Sequence, residues 1–576
     1  MSWIEWTDNK FRGLDLTQLK VDQAYLNISN HQSQKYFLYS LSEECIKCPF
    51  RFIKAIRPEN DTLVKLNTNK GFELRLFWKD HGQYVDPKIV NDDLFWSGQP
   101  DFGEFGVYDL LIKKTGPAML ETAKQPVETL SSILFISIFF ISFYWICKVI
   151  NIVYISRPRN AQEATENPIQ ESSSDNELDA SKVKKRLRSL DIFRGVAIVL
   201  MIFVNSGGGH YWWIEHAVWN GLHFADLVFP WFLFIMGVCI PLSIKSQVNR
   251  QIPINSIVRK IFKRSITLFF LGLCLNTLWG ATFQNIRIFG VLQRFGVAYL
   301  VVSLIHLAFM NNSVNAETRI QQLFYDVRMI WRQWLVILSL IAVYLIFIFG
   351  VNAPNCDRGY LGPGGIHEYM THKNCTGGIV GYIDRTILGS SHLYQRAKIR
   401  SVYDALPFDP EGLFGCIMTC VQVFLGVQCG MTLIVYATAK ERLRRWILWG
   451  LGLLALSCVL TLFSVNDGFI PINKNLWSLS FVTVTASLAF LLLSLIYYLV
   501  DVKNIGDDCW TIFLYPGMNA IVLYVGHSVF HSMWPFHWSL DVMNTHFVLL
   551  LENLYTVIIW ILISHWLYHK KIFYNV

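Results

Sequence analysis

Ten apolar runs follow one another between residues 191 and 567, and they restrict the fold more than any other feature of the chain. They lie near 191–205, 225–244, 265–280, 288–308, 331–351, 412–437, 446–464, 476–500, 510–531 and 546–567. Such runs match the hydrocarbon core of a bilayer, where only helices or closed barrels satisfy every backbone polar group. An eleventh run, Ser131–Ile155, precedes them. Only 16% of the 576 residues are charged and 53% are hydrophobic, against roughly a quarter charged in a soluble domain. The chain therefore reads as a polytopic α-helical membrane protein with about eleven transmembrane helices and a small N-terminal lumenal β-rich domain. That domain is residues 1–128, where alternating stretches such as TLVKLN (62–67) and ELRLFW (73–78) are broken by Gly and Pro. Residues 129–155 form the first transmembrane helix and 156–190 a disordered, basic cytosolic loop. Residues 191–576 form a ten-helix membrane domain with a long lumenal loop at 352–411.

Charge placement orients these helices. With the N-terminus outside, the cytosolic loops hold Lys182–Arg188, then Lys245, Arg250, Arg259, Lys260, Lys263 and Arg264. Lys440, Arg442, Arg444 and Arg445 follow, and the cytosolic C-terminal tail has Lys570 and Lys571. This obeys the positive-inside rule. The net charge of +8 is thereby read as topology and not as nucleic-acid binding. The same map puts Asn27, Asn60 and Asn374, each in an N-x-S/T sequon, on the lumenal side as glycosylation sites. It also puts Cys45, Cys48, Cys356 and Cys375 there, where cysteines oxidise to disulfides. Cys45-x-x-Cys48 has the spacing of a metal half-site or redox pair. With no second such pair nearby, a small disulfide loop is the better reading, and no metal site is expected. The opening residues Met1–Glu5 form no recognisable signal peptide. Either the first span exports the domain or the true start lies upstream.

One stretch departs from the apolar pattern. Asn205–Trp231 packs three consecutive glycines (Gly207–Gly209), three histidines (His210, His216, His223), four tryptophans, Glu215, Asn220 and Asp226 between two spans. Polar groups at this density beside a membrane are costly and point to a functional hairpin. His210 and His223 read as hydrogen-bonded interfacial residues. His216 lies between Glu215 and Trp219-Asn220-Gly221, ten residues before Asp226. An imidazole there can take a proton near neutral pH or act as a nucleophile. Asp226 either caps the helix that starts beside it or orients the imidazole as the third group of a triad does. Gly207–Gly209 lack the Lys-Ser/Thr of a phosphate loop and read as a tight turn. The tryptophans form an interfacial belt.

Further polar groups lie inside the spans. Arg194 is near the cytosolic start of its run, Arg287 at a lumenal edge, Gln293 and Arg294 about two turns deeper, and Asn519 inside 510–531 with His527 beyond it. Lys263 and Arg264 can snorkel to the interface. Arg294 is too deep for that and needs a buried partner or an anionic ligand. Asn519 serves either a helix–helix hydrogen bond or a site.

Taken together, these segments resemble the lysosomal heparan-α-glucosaminide N-acetyltransferase family. The resemblance is carried by SLDIFRGVAIVLMIFVNSGGG (189–209), HAVWNGLHFADLVFPWFLFIMG (216–237), RIFGVLQRFGVAYL (287–300), GYLGPGGIHEYMTHKNCTGGIVGYID (359–384), FDPEGLFG (408–415) and GMNAIVLYVGH (517–527). It runs from about residue 188 to the C-terminus; the N-terminal domain matches in outline only. Ser206 departs from it, standing where the family has tyrosine. The resemblance implies a lysosomal membrane enzyme of heparan sulfate breakdown. Such an enzyme moves acetyl from cytosolic acetyl-CoA, a co-substrate and not a tightly bound cofactor, to the amine of a terminal glucosamine in the lumen. It places the catalytic histidine at His216, with Asn205 and Asp226 beside it. Arg194, Lys263, Arg264, Gln293, Arg294 and Asn519 are then expected to line the acetyl-CoA path, the bases meeting the anionic nucleotide. Asn205 and Asn519 would supply donors to a developing oxyanion. Burial beside tryptophan is expected to lower the His216 pKa and keep it neutral in an acidic lumen. The expected partners are acetyl-CoA, the glycan, membrane lipid and a second copy of the chain, with no nucleic acid.

Three other readings compete. A solute transporter also carries intramembrane arginines and asparagines, but no clear inverted repeat supports it. An acyltransferase of the same architecture with another acceptor differs only in lumenal contacts. A glycan receptor would rest on the N-terminal domain.

Overall fold

The computed structural model describes residues 10–88, 93–130, 187–278, 282–310, 324–538 and 545–574, together with Gly280 and five residues within 133–138. Most of the expected first span and most of the basic loop fall outside the described residues. The N-terminal domain is β-rich, as its alternating stretches predict. Two short strands, β1 (Lys10–Phe11) and β2 (Leu14–Asp15), pair as a ribbon. The remaining strands form two sheets. β3 (Gln23–Asn30), β6 (Asn60–Asn67), β10 (Val107–Ile112) and β11 (Met119–Lys124) form one in the order β11-β10-β3-β6. β4 (Tyr36–Ser42), β5 (Phe50–Ile56), β7 (Phe72–Phe77), β8 (Tyr84–Val85) and β9 (Leu94–Gly98) form the other in the order β8-β5-β4-β7-β9. Leu26, Ile28, Leu38, Leu74, Leu76 and Leu110 meet in one apolar core, the inward residues of alternating strands.

The membrane domain is helical. Its long helices are α1 (Arg188–Asn205), α2 (Phe224–Asn249), α3 (Ile254–Thr277), α4 (Val291–Ala308) and α5 (Trp331–Gly350). After the shorter α6 (Gly378–Leu388) come α7 (Cys416–Val435), α8 (Ala439–Thr461) and α9 (Leu479–Tyr497). The chain ends with α10 (Asp507–Met518), α11 (Ala520–Phe530) and α12 (His546–His569). By length and apolarity seven of the described helices can cross a membrane, or eight if the bent pair α10–α11 is one span. The count of eleven is therefore not reached on this measure. Helices α1 and α3 exist where spans are expected, but Arg188, Asp191 and Arg194 in α1 and four bases in the first half of α3 dilute their apolarity. Helix α7 is the axis of the bundle: 89% of its apolar window is buried, against 22% for α5 and for α8. The exposed Leu335, Ile346, Leu448 and Val459 give α5 and α8 lipid-type faces. The break between α10 and α11 bends the chain by 80° and falls at Asn519.

All four cysteines expected to oxidise are in disulfides: Cys45–Cys48, the expected small loop, and Cys356–Cys375, a pairing the sequence left open. The loop 352–411 folds over the bundle as a cap, and the β-domain rests on it. Tyr403 bridges the two, its hydroxyl donating to Glu44 O at 2.9 Å while the Ile46 N–H donates back at 3.3 Å. Of the sequon asparagines, Asn60 and Asn374 are exposed, whereas Asn27 lies in β3 and donates to Asp109 at 3.2 Å.

Candidate active site

The hairpin begins where α1 ends. Gly207, Gly208, Gly209 and His210 all take positive φ, between 56° and 117°, which favours glycine at three of the four positions. Helix α12 fixes this turn. Asn553 accepts from Gly209 N–H at 2.7 Å and donates to Ser206 O at 2.8 Å. His546 Nδ1 donates to Gly209 O at 2.7 Å, and its Nε2 lies 2.8 Å from Asp22 of the β-domain. Buried beside this link is Glu104. Burial, against the pull of His546, pushes its pKa up to about 8.

The structure brings His216 and Asp226 together. His216 Nδ1 lies 2.8 Å from Asp226 Oδ1. An ionised carboxylate only accepts, so Nδ1 carries the hydrogen and Nε2 keeps its lone pair. The other oxygen, Asp226 Oδ2, accepts from the backbone N–H of His223 at 3.0 Å and of Ala217 at 3.2 Å. Asp226 is thus both helix cap and imidazole orienter, and the two readings of this residue are one arrangement. It is fully buried, whereas the His216 side chain is 47% exposed.

Lys474, which sequence reading missed, lies 3.0 Å from His216 Nδ1, 3.3 Å from Nε2 and 3.7 Å from Asp226 Oδ1. It comes from the turn between α8 and α9. That turn is tied to the hairpin by Asn473 Nδ2 donating to Asn220 Oδ1 at 2.9 Å and by Gly221 N–H donating to Ile472 O at 2.9 Å. Only the tertiary fold brings residues 258 positions apart together, so no local signal marked this lysine. Desolvation and then the Lys474 ammonium push the His216 pKa below its ordinary value, outweighing Asp226. Much of the desolvation is open to water at this exposure, so the nearby ammonium is the more durable cause. Glu215 is held below the ordinary carboxyl range: burial raises it, but hydrogen bonds from His210 and Lys398 prevail.

Asn205 takes part in a second pair. His527 Nδ1 donates to Leu523 O at 3.0 Å, which leaves Nε2 to accept from Asn205 Nδ2 at 2.9 Å. The His527 ring packs on Tyr524, centroids 5.4 Å apart. Tyr524 lines a cavity of about 360 Å³ between α1, α2, α3, α4 and the α10–α11 break. Arg194, Arg264 and Tyr574 line it too, with an apolar wall that includes Ile198, Met201 and Phe232. Tyr524 thus stands between the cavity and the Asn205–His527 pair, whereas His216 and Asp226 do not line the cavity.

The other expected acetyl-CoA residues lie elsewhere. Lys263 is exposed on α3. Gln293 is fully buried beneath Gly272. Arg294 is buried under the cap, its Nη2 donating to Gly412 O at 2.8 Å and its guanidinium lying 5.0 Å over the Trp477 ring, while its Nε and Nη1 have no hydrogen-bond partner among the described residues. The Asn519 side chain is buried at the helix break and accepts from Tyr574 N–H at 3.4 Å, while its neighbours Met518 and Ala520 line the cavity. Arg287, noted in sequence only as an edge residue, grips Asp409 at 2.8 and 2.5 Å and Glu411 at 2.7 Å. Among the described residues no cluster of His, Cys, Asp and Glu fits a metal ion.

Known proteins match this chain closely. Residues 186–342 match the family model described as heparan-alpha-glucosaminide N-acetyltransferase, catalytic. The human heparan-alpha-glucosaminide N-acetyltransferase is 39% identical over 97% of this chain and 89% of its own length. The mouse enzyme of the same name is 36% identical over the same shares. The chain is thus an acetyl-transferring enzyme and belongs to the heparan-alpha-glucosaminide N-acetyltransferase family.

Proposed function

We propose that this enzyme takes acetyl from cytosolic acetyl-CoA and passes it to the terminal glucosamine amine of heparan sulfate in the lysosomal lumen. The observation that carries this reading is the His216–Asp226 pair of the hairpin, together with a cavity lined by Arg194 and Arg264 whose Tyr524 packs on His527, the partner of Asn205. The two guanidinium groups suit the anionic nucleotide of the donor, and the apolar wall suits its neutral arm. At the hairpin, His216 Nε2 accepts a proton from the attacking amine, or first accepts the acetyl group itself. In either case the thioester C–S bond breaks, the thiol leaves, and an amide C–N bond is left on the sugar. Asp226 holds the tautomer and offsets the charge gained by the ring. Asn205 is oriented by His527 and leaves its other amide hydrogen for the oxyanion. Asn27, Asn60 and Asn374 would carry glycans if the β-domain and cap face the lumen, and a homodimer fits the same reading.

The test is a His216→Ala variant of the purified protein in detergent, assayed in one turnover for acetyl label on the protein and for acetylglucosamine. Loss of product with acetyl-CoA binding intact supports the reading; full turnover overturns it. Acetyl transfer without a sealed vesicle excludes a pure transporter.

A further inference from the structure

The seam between the β-domain and the cap has a composition that the chemistry at His216 does not use. Starting from the hairpin, Trp212 is 46% exposed and faces Lys70 of the β-domain, whose ammonium lies 5.2 Å from the indole ring. Trp212, Lys70 and Asn69 line one cavity, and Lys70 and Asn69 also line the next. The second cavity, about 290 Å³, adds Asn67, Ser42, Arg51 and Ser401. Arg51 donates to Ser401 O at 3.3 Å, and among the described residues it forms no ion pair. Ser401 belongs to a short helix, Lys398–Tyr403, whose first residue pairs with Glu215, the neighbour of His216. Two adjoining cavities thus run from an exposed indole of the His216 hairpin to two cations among amides and hydroxyls. Glu43 and Asp101 line the first cavity only, so an anionic group is disfavoured there and favoured in the second. One carboxylate, Glu44, enters the second cavity, 3.7 Å from Lys70. An indole face suits a sugar ring, and guanidinium and ammonium groups suit sulfate or carboxylate.

We propose that this seam is an extended acceptor subsite. Trp212 supports the sugar that follows the terminal glucosamine, and Arg51 and Lys70 bind sulfate or carboxylate groups on the sugars beyond it. This rests on the glycan-acceptor reading above and adds to it a role for the β-domain in substrate selection.

The test compares three acceptors with the purified full chain. They are an uncharged glucosamine monosaccharide glycoside, a sulfated oligosaccharide ending in glucosamine, and its desulfated counterpart. The wild type is expected to show a KM for the sulfated acceptor roughly tenfold below that of the desulfated one, and the gap should close as salt shortens the Debye length from about 8 to 3 Å. Arg51→Gln with Lys70→Gln is expected to erase that gap while kcat/KM for the monosaccharide stays within about twofold, a value that also reports intact folding. Trp212→Ala should raise KM for both oligosaccharides and not for the monosaccharide. A wild type without preference for the sulfated acceptor, or a preference insensitive to salt, overturns the subsite. So does an equal loss on all three acceptors in the double variant. Failure of the wild type to acetylate any of them would overturn the glycan-acceptor reading itself.

Discussion

Lys474 offers the sharpest test of how the site keeps its imidazole neutral. Its ammonium lies 3.0 Å from His216 Nδ1. A unit charge at that distance from a protonated ring is worth about 1.4 kcal/mol in a water-like medium and several-fold more at an effective dielectric of about 20. Because the His216 side chain is 47% exposed, the water-like end applies, and salt and solvent reduce it to about 1 kcal/mol. That corresponds to about 0.7 pKa unit. The direction follows from linkage: removing the cation makes the protonated ring easier to form, so the imidazole pKa rises. If the neutral ring is the active form, the acid limb of kcat/KM against pH moves up by about 0.7 unit in Lys474→Gln. The rate then falls about fivefold at pH values well below the limb and changes little on the plateau.

The assay is a pH profile at saturating acetyl-CoA, with Lys474→Arg as the variant that keeps the charge and so the limb. Asp226→Asn supplies the opposite sign. It removes the carboxylate that raises the imidazole pKa, so its limb moves down while its plateau drops through loss of the tautomer. An unmoved or downward-shifted limb in Lys474→Gln, with folding intact, would refute the reasoning.

Other expectations follow from the same geometry. Asn205→Ala should lower kcat by about 10²–10³ with little change in the KM for either substrate, as read in single-turnover kinetics. Arg194→Gln should raise the KM for acetyl-CoA by roughly tenfold or more and leave the acceptor KM unchanged, because it removes a charge-assisted contact worth about 1.5–3 kcal/mol. Arg287→Met should lower the melting temperature, because it strands the buried Asp409 carboxylate at a cost of about 3–5 kcal/mol. Glu104 has a folded pKa of about 8 against an ordinary 4.5. Its protonated form therefore stabilises the domain seam fully below pH 4.5, and that contribution is lost as pH rises toward about 8. Glu104→Gln should flatten the melting-temperature profile across that window.

The apolar helices, the β-rich domain, the Cys45–Cys48 loop and the candidacy of His216 and Asp226 were legible in the sequence, because each rests on local pattern or on residues close in the chain. Asp226 is ten residues from His216 and at the start of a helix, so both of its possible roles were visible before the structure merged them. Lys474, His527 and Arg287 act on partners 258, 322 and 122 positions away, and nothing in the neighbouring sequence announces such partners. Arg294 shows the opposite case. Its depth in a span correctly demanded a partner, but depth alone does not distinguish a ligand from a backbone carbonyl and an indole face. The bases of α3 show the same ambiguity, since Arg264 turns into the cavity while its neighbour Lys263 faces away.

The cavity itself follows from two glycines. A Cβ on Gly195 would lie 1.7 Å from Phe513 O, and one on Gly517 would lie 1.8 Å from Asp191 O. Helices α1 and α10 can therefore touch backbone to backbone, and side chains at either position would force them apart. After this close approach the chain bends by 80° at Asn519 into α11, and the cavity lies between Ile198 and Met201 of α1 and Ala520, Ile521 and Tyr524 of α11. From Arg194 to Asn205 the helix rises about 16 Å at 1.5 Å per residue. Arg194, a base that suits a nucleotide, and the Asn205 amide that suits an oxyanion are therefore held far apart on one rigid element. The same bend directs Tyr524 and His527 toward the far end, so the break that makes room for the donor also positions Asn205 against His527.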